Sequence, residues 1–175
     1  AFQAADGKLR ELESALMRAS RGARDPVLYD TSPCAFRSLQ NLESDLKILD
    51  LTEFIHDELL GRLRITPVDE TVAIHATCSN RKMALNAKLK GIAEACALEV
   101  IVPEDVTCCG WAGDKGFSVP ELNASAVRSL RPSLPEACLS GYSTSRTCEI
   151  GLSLHSGRPY RSIAWLVDRC SVSRA

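Results

Sequence analysis

The feature that most constrains this chain is the alternation of short apolar strands with amphipathic helical segments. Residues 71–76 (TVAIHA), 99–102 (EVIV) and 137–141 (ACLSG) read as strands. Between and after them lie helical patterns. One runs from Cys78 to Ala97 with Leu85, Leu89, Ile92 and Cys96 on one face. A second starts at Ser118-Val119-Pro120-Glu121, which has the form of a cap, an early proline and a capping-box glutamate. A last one carries Ile163, Leu166, Val167 and Cys170. Strands that are apolar on both faces and separated by helices imply an α/β fold, a parallel sheet with helices on both faces. The functional loops of such a sheet lie beyond the carboxyl ends of its strands.

The amino-terminal third carries a reduced version of the pattern. Residues 8–20 place Leu9, Leu12, Leu16 and Ala19 on one helical face. Residues 26–30 (PVLYD) and 47–49 (KIL) read as strands, and Thr31-Ser32-Pro33-Cys34 as a turn. Asp50 and Glu53 have capping-box spacing before a helix with Leu51, Phe54, Ile55, Leu59 and Leu63 on its apolar face.

Charge excludes one class of function. Lys and Arg number 21 and Asp and Glu 22, for a net charge of −1, so the basic excess of a nucleic-acid binder is missing. No apolar run reaches the roughly 20 residues of a membrane span.

Eight cysteines stand out: Cys34, Cys78, Cys96, Cys108, Cys109, Cys138, Cys148 and Cys170. A disulfide scaffold is usually shorter and richer in loops. Cysteines set among good helices and strands point instead to a reducing compartment and to metal or redox chemistry. Cys34, Cys78, the Cys108–Cys109 pair and Cys148 follow strand ends. Cys96 and Cys170 fall on apolar helical faces and Cys138 within a strand, where free cysteine packs as a small hydrophobe. Adjacent cysteines cannot easily bond to each other, but can offer two thiolates to neighbouring irons, and Gly110 lets the backbone turn tightly beside them. Soft thiolates select zinc or iron–sulfur over hard cations. Four thiolates also suit zinc, and plain packing is the remaining alternative. His75 reads as structural rather than as a ligand, and Trp111 and Phe117 as packing or as a shield against water. No Ser-His-Asp, paired-carboxylate, Walker or dinucleotide signature is present.

There is an internal echo. Leu28-Tyr29-Asp30-Thr31-Ser32-Pro33-Cys34 resembles Gly141-Tyr142-Ser143-Thr144-Ser145-Arg146-Thr147-Cys148. Each reads as a strand, a Ser/Thr-rich turn and a cysteine opening a helix.

On these residues the chain resembles the cysteine-rich CCG family, which carries a distant Cys, then Cys-Cys-Gly, then Cys-x-x-Cys. The resemblance rests on His75-Ala76-Thr77-Cys78, Cys108-Cys109-Gly110-Trp111-Ala112-Gly113-Asp114-Lys115-Gly116, Pro120-Glu121-Leu122 and Ser145-Arg146-Thr147-Cys148-Glu149-Ile150-Gly151-Leu152. Within that family it is similar to the C-terminal iron–sulfur region of fused FAD-linked D-lactate dehydrogenases. The chain departs from the family at Ser145 and Thr31, each of which stands where Cys-x-x-Cys has its first thiolate.

The resemblance implies two related CCG halves: residues 1–66 as the C-terminal half of a first, truncated repeat and residues 67–175 as a complete second one. It implies a [4Fe–4S] cluster on Cys78, Cys108, Cys109 and Cys148. Cys34 stays divided evenly between ligation in a fuller protein and packing. It further implies an electron-transfer module of an FAD-linked D-2-hydroxyacid dehydrogenase, inactive as an isolated fragment. FAD would sit on a flavin domain of the same polypeptide or complex, and a quinone or a cytochrome would accept the electrons. The expected location is cytoplasmic, with a peripheral place on the inner face of the membrane left open. Self-association of the cut edge is a further expectation. The alternatives are a heterodisulfide-reductase-like thiol/disulfide subunit and a structural zinc or packing module.

Overall fold

The computed structural model describes residues 2–173. Its elements follow in order: α1 (Phe2–Ala19), β1 (Val27–Tyr29), α2 (Ser32–Asn41), β2 (Ile48–Asp50), α3 (Leu51–Phe54), β3 (Leu63–Ile65), β4 (Val68–Ile74), α4 (Cys78–Lys82), α5 (Asn86–Cys96), β5 (Ala97–Ile101), α6 (Pro120–Ala126), α7 (Leu130–Ser133), β6 (Cys138–Ser143), α8 (Arg146–Ser156), β7 (Tyr160–Ser162), α9 (Ile163–Cys170) and β8 (Ser171–Ser173).

The alternation of strand and helix becomes a four-stranded, all-parallel sheet in the order β5-β4-β6-β7. Each inner strand is apolar on both faces because helices cover both. Val72, Ile74 and Tyr142 pack with Leu89, Ile92 and Ala93 of α5 and Ile163, Leu166 and Val167 of α9. Ala73 faces the other way, into a second core with Val106, Trp111, Val127, Leu130 and Leu152. Burying one such aliphatic side chain is worth about 1.5–3 kcal/mol, so neither helical layer detaches without a large loss. The β4–β5 crossover covers one face and the β6–β7 crossover the other. The strand order therefore reverses between β4 and β6, and a crevice opens beyond their carboxyl ends.

β1 and β2 form a separate parallel pair in register Val27 with Ile48 and Tyr29 with Asp50. This piece joins the main sheet's edge through the Ser32 amide, which donates to the Thr144 carbonyl at 3.0 Å. The amphipathic stripe of α1 is only half covered, with Leu12 exposed. β3 and β8 form a short antiparallel ribbon, which the sequence pattern did not suggest.

Several local expectations are corrected. The helix expected from Cys78 to Ala97 is broken at Ala84, whose φ of 58° is left-handed, and it restarts at Asn86. The break leaves Asn80 fully buried, where its side chain binds Thr52, Thr77 and Thr144. Ser118 does not cap α6: Val119 holds the cap position without a side-chain bond, and the Ser118 hydroxyl donates back to Lys115. The helix expected to follow Asp50 does begin with a cap, as Asp50 Oδ1 accepts from the Thr52 amide at 2.8 Å. It then loosens to a π turn at Ile55–Leu59 and ends in a 3₁₀ turn before β3. Among the described residues no helix is long and apolar enough to cross a membrane.

Candidate metal centre

Four strand exits, three of them helix starts, bring the cysteines of interest to the same place. Cys78 opens α4 just past β4, where Thr77 Oγ1 caps the helix by accepting from the Asn80 amide at 3.2 Å. Cys108 and Cys109 lie on the loop that leaves β5. Cys148 sits in the first turn of α8 past β6, and Cys34 in the first turn of α2 past β1.

All five line one cavity of about 450 Å³, together with Trp111. Cys34 and Cys78 are exposed, Cys108 half-buried, and Cys109 and Cys148 buried. Cys34 therefore does not pack into a core. The two echoed turns are joined by the Ser32–Thr144 hydrogen bond, and both line this cavity. Thr31 and Ser145 occupy equivalent N-cap positions with extended backbone, and neither side chain makes a capping bond.

The CCG loop is held by close backbone packing. Gly110 has a φ of +73°, and a Cβ there would lie 2.4 Å from the Leu122 carbonyl oxygen. Only glycine fits. Asn123, buried, donates its side-chain amide to the Cys109 carbonyl at 2.5 Å. Trp111 is buried against Gly151, where a Cβ would lie 2.0 Å from the indole nitrogen. Phe117 meets the Trp111 ring edge-on at 4.4 Å but is itself mostly exposed, so of the two aromatic residues only Trp111 walls the cavity.

The thiols are electrostatically linked. Cys109 Sγ and Cys148 Sγ are 2.7 Å apart and unbonded. The hydrogen bond from Cys148 holds the Cys109 thiol down to about 7, while the same bond and burial push Cys148 up. Of the two, Cys109 is the more readily ionised. Burial pushes Cys78 up, and repulsion from Cys108 adds to it. Gly110 donates its amide to Cys108 Sγ at 3.3 Å, a contact of the kind that tunes the potential of a thiolate-bound cluster. Glu149 is buried beside Cys148, with Arg146 Nη1 3.0 Å from its carboxylate; burial pushes that carboxyl up.

Among the described residues, no group of three or more His, Cys, Asp or Glu side chains is gathered tightly enough to hold one metal ion. The thiols ring a space instead of meeting at a point. The donor chemistry fits an iron–sulfur core, which needs several soft ligands spread over its own width. Cys109 and Cys148 would have to part to admit it.

The remaining cysteines lie elsewhere. Cys96, Cys138 and Cys170 are buried, and Cys170 belongs to the amino-terminal edge of the sheet, where its carbonyl accepts from the Thr66 amide. His75 is buried and faces a different cavity. Sequence reasoning missed Asn80, Thr144 and Asn123, which fix the strand exits and the CCG loop. A polar residue inside an otherwise amphipathic helix pattern is the only trace Asn80 leaves in the sequence. No protein family, curated protein or solved structure matches the chain at a significant level.

Proposed function

We propose that this chain is the iron–sulfur electron-transfer module of an FAD-linked D-2-hydroxyacid dehydrogenase of the D-lactate type. The observation that carries the reading is the gathering of Cys78, Cys108, Cys109 and Cys148 around one cavity at the reversal point of a parallel sheet. Those four residues would hold a [4Fe–4S] cluster, which when bound takes up and releases single electrons. The chain's own contribution is positional. Gly110 and Asn123 fix the two adjacent thiolates, Trp111 keeps water from one wall, and the Gly110 amide lowers the electron density on Cys108 Sγ. Flavin chemistry on the hydroxy acid belongs to a separate FAD domain, and electrons leave to a quinone or a cytochrome. The exposed edge strand β5, with Leu98 outward, offers a surface for self-association or for that domain.

Anaerobic reconstitution with ferrous iron and sulfide tests the reading. Broad absorbance near 400 nm and about four irons and four sulfides per chain are expected. Iron uptake that is the same in the parent and in Cys109→Ser would sink it.

One observation favours a second reading, a thiol/disulfide redox centre. The Cys109 and Cys148 thiols are already in contact, and Cys109 is the more readily ionised of the two. Oxidation would join the two sulfurs with loss of two electrons and two protons to a disulfide substrate, which leaves as two thiols. A metal-free chain that reduces a small disulfide with concurrent loss of these two thiols would favour this reading over the first.

A further inference from the structure

The serine one turn ahead of Cys148 is placed unlike an ordinary helix cap. Ser145 is the N-cap residue of α8, with φ −153° and ψ 126°. From that position a serine oxygen commonly accepts from the second or third helical amide, and the third helical residue here is Cys148. Ser145 makes no such bond. It is 4% exposed and lines the thiol cavity together with Cys148. Its Oγ lies 3.3 Å from Thr147 Oγ1. Contact with Cys109 and burial push the Cys148 thiol up, and the Ser145 hydroxyl pulls the other way by hydrogen-bonding its sulfur.

The direction of that bond follows from the number of hydrogens. A thiolate only accepts, and a serine hydroxyl has one hydrogen to give. With Cys148 ionised, Ser145 therefore donates to Sγ, and the Thr147 hydroxyl donates to Ser145 Oγ across the 3.3 Å contact. The three groups form a chain in which each bond polarises the next. The echoed turn does not repeat it. Thr31, the N-cap of α2, also lacks a capping bond, but its hydroxyl donates to Asp30 Oδ1 at 3.1 Å.

Cys148 is buried, and a buried thiolate is costly without donors. On the CCG loop the Gly110 amide serves Cys108 Sγ in this way. Ser145 gives the β6 exit its equivalent.

We infer that Ser145 is a positioning residue of the metal centre: its hydroxyl donates to Cys148 Sγ and, when that sulfur is a cluster ligand, makes one-electron reduction easier. The inference rests on the iron–sulfur reading above. Reduction adds one negative charge, part of which falls on the ligand sulfurs, and a donor is worth more to the more negative sulfur.

The test compares the 175-residue parent with Ser145→Ala, Ser145→Gly and Ser145→Thr after anaerobic reconstitution with ferrous iron and sulfide. Ala and Gly remove the hydroxyl without removing a capping bond, so both should fold and take up iron as the parent does. A redox titration followed near 400 nm should find both about tenfold harder to reduce, a midpoint lower by about 59 mV for one electron. Thr keeps a hydroxyl and should keep the parent midpoint. Ala and Gly midpoints equal to the parent's overturn the assignment. So does a Thr midpoint that falls with them, which makes the effect one of packing. So does iron loss in Ser145→Ala as large as in Cys109→Ser, which makes the hydroxyl a ligand. Iron analysis separates all of these from failure of the cluster reading itself, in which the parent takes up no iron and the inference falls with it.

Discussion

The two edges of the sheet use the same residue differently. At the carboxyl edge Cys34, Cys78, Cys108, Cys109 and Cys148 line a cavity that reaches solvent. Toward the other edge Cys96 and Cys170 lie against each other in the core, and burial followed by that contact pushes the Cys96 thiol up. Cys138 starts β6 in the second core, and burial pushes it up as well. A thiol among hydrocarbon stays protonated and inert, whereas the carboxyl-edge thiols share one cavity, and contact with Cys148 brings Cys109 down to about 7. Position along the strand, and not the count of cysteines, separates potential ligands from packing residues.

The largest expected effect breaks that contrast directly. Cys109→Ser should lose most of the iron taken up in anaerobic reconstitution, since a hard hydroxyl replaces a soft thiolate. Cys96→Ser and Cys170→Ser should keep it, and iron and sulfide analysis of the three variants decides. If all three lose iron equally, the two edges are not functionally different.

Gly110→Ala strikes the carboxyl edge through its backbone. Left-handed backbone costs a non-glycine residue about 1–2 kcal/mol and overpacking against Leu122 another 1–3. A loss of roughly 2–5 kcal/mol is expected in urea denaturation, with Cys96→Ala as the reference at about 1 kcal/mol.

His75 supplies a pH signature at the same edge. The folded ring titrates near 4 and the unfolded ring near 6.5. Between these values the unfolded chain binds the extra proton, so stability is complete above about 6.5 and declines as pH falls toward 4. The full span is worth about 3 kcal/mol at 1.36 kcal/mol per unit. His75→Gln should flatten the stability profile over that window, and an unchanged slope would remove His75 as its source.

The smallest effect concerns Cys34. A cube takes four ligands and the cavity has five thiols, so Cys34→Ser should leave iron content unchanged while removing one of the two exposed thiols open to iodoacetamide. Iron loss in that variant would instead make the two echoed turns equal partners in one centre.

Periodicity was enough to read the α/β class, because strands apolar on both faces have few other ways to satisfy their burial. The ordering of Cys78, Cys108-Cys109-Gly110 and Cys148 after strand ends was legible for a related reason: strand exits in a parallel sheet share one edge. What no local pattern carries is how far one exit lies from another. The sequence alone left Cys34 divided between ligation and packing; its place in the cavity depends on the Ser32–Thr144 bond that docks β1 and β2 beside β6. The helix break at Ala84 arises because Asn80 finds Thr52, Thr77 and Thr144 at once, a demand set by residues far apart in the chain. The sequence by itself determined which residues carry thiols and which segments bury apolar faces. Tertiary structure alone decided which polar groups find partners, because hydrogen bonds and proton positions depend on distances of a few tenths of an ångström that a linear pattern does not encode.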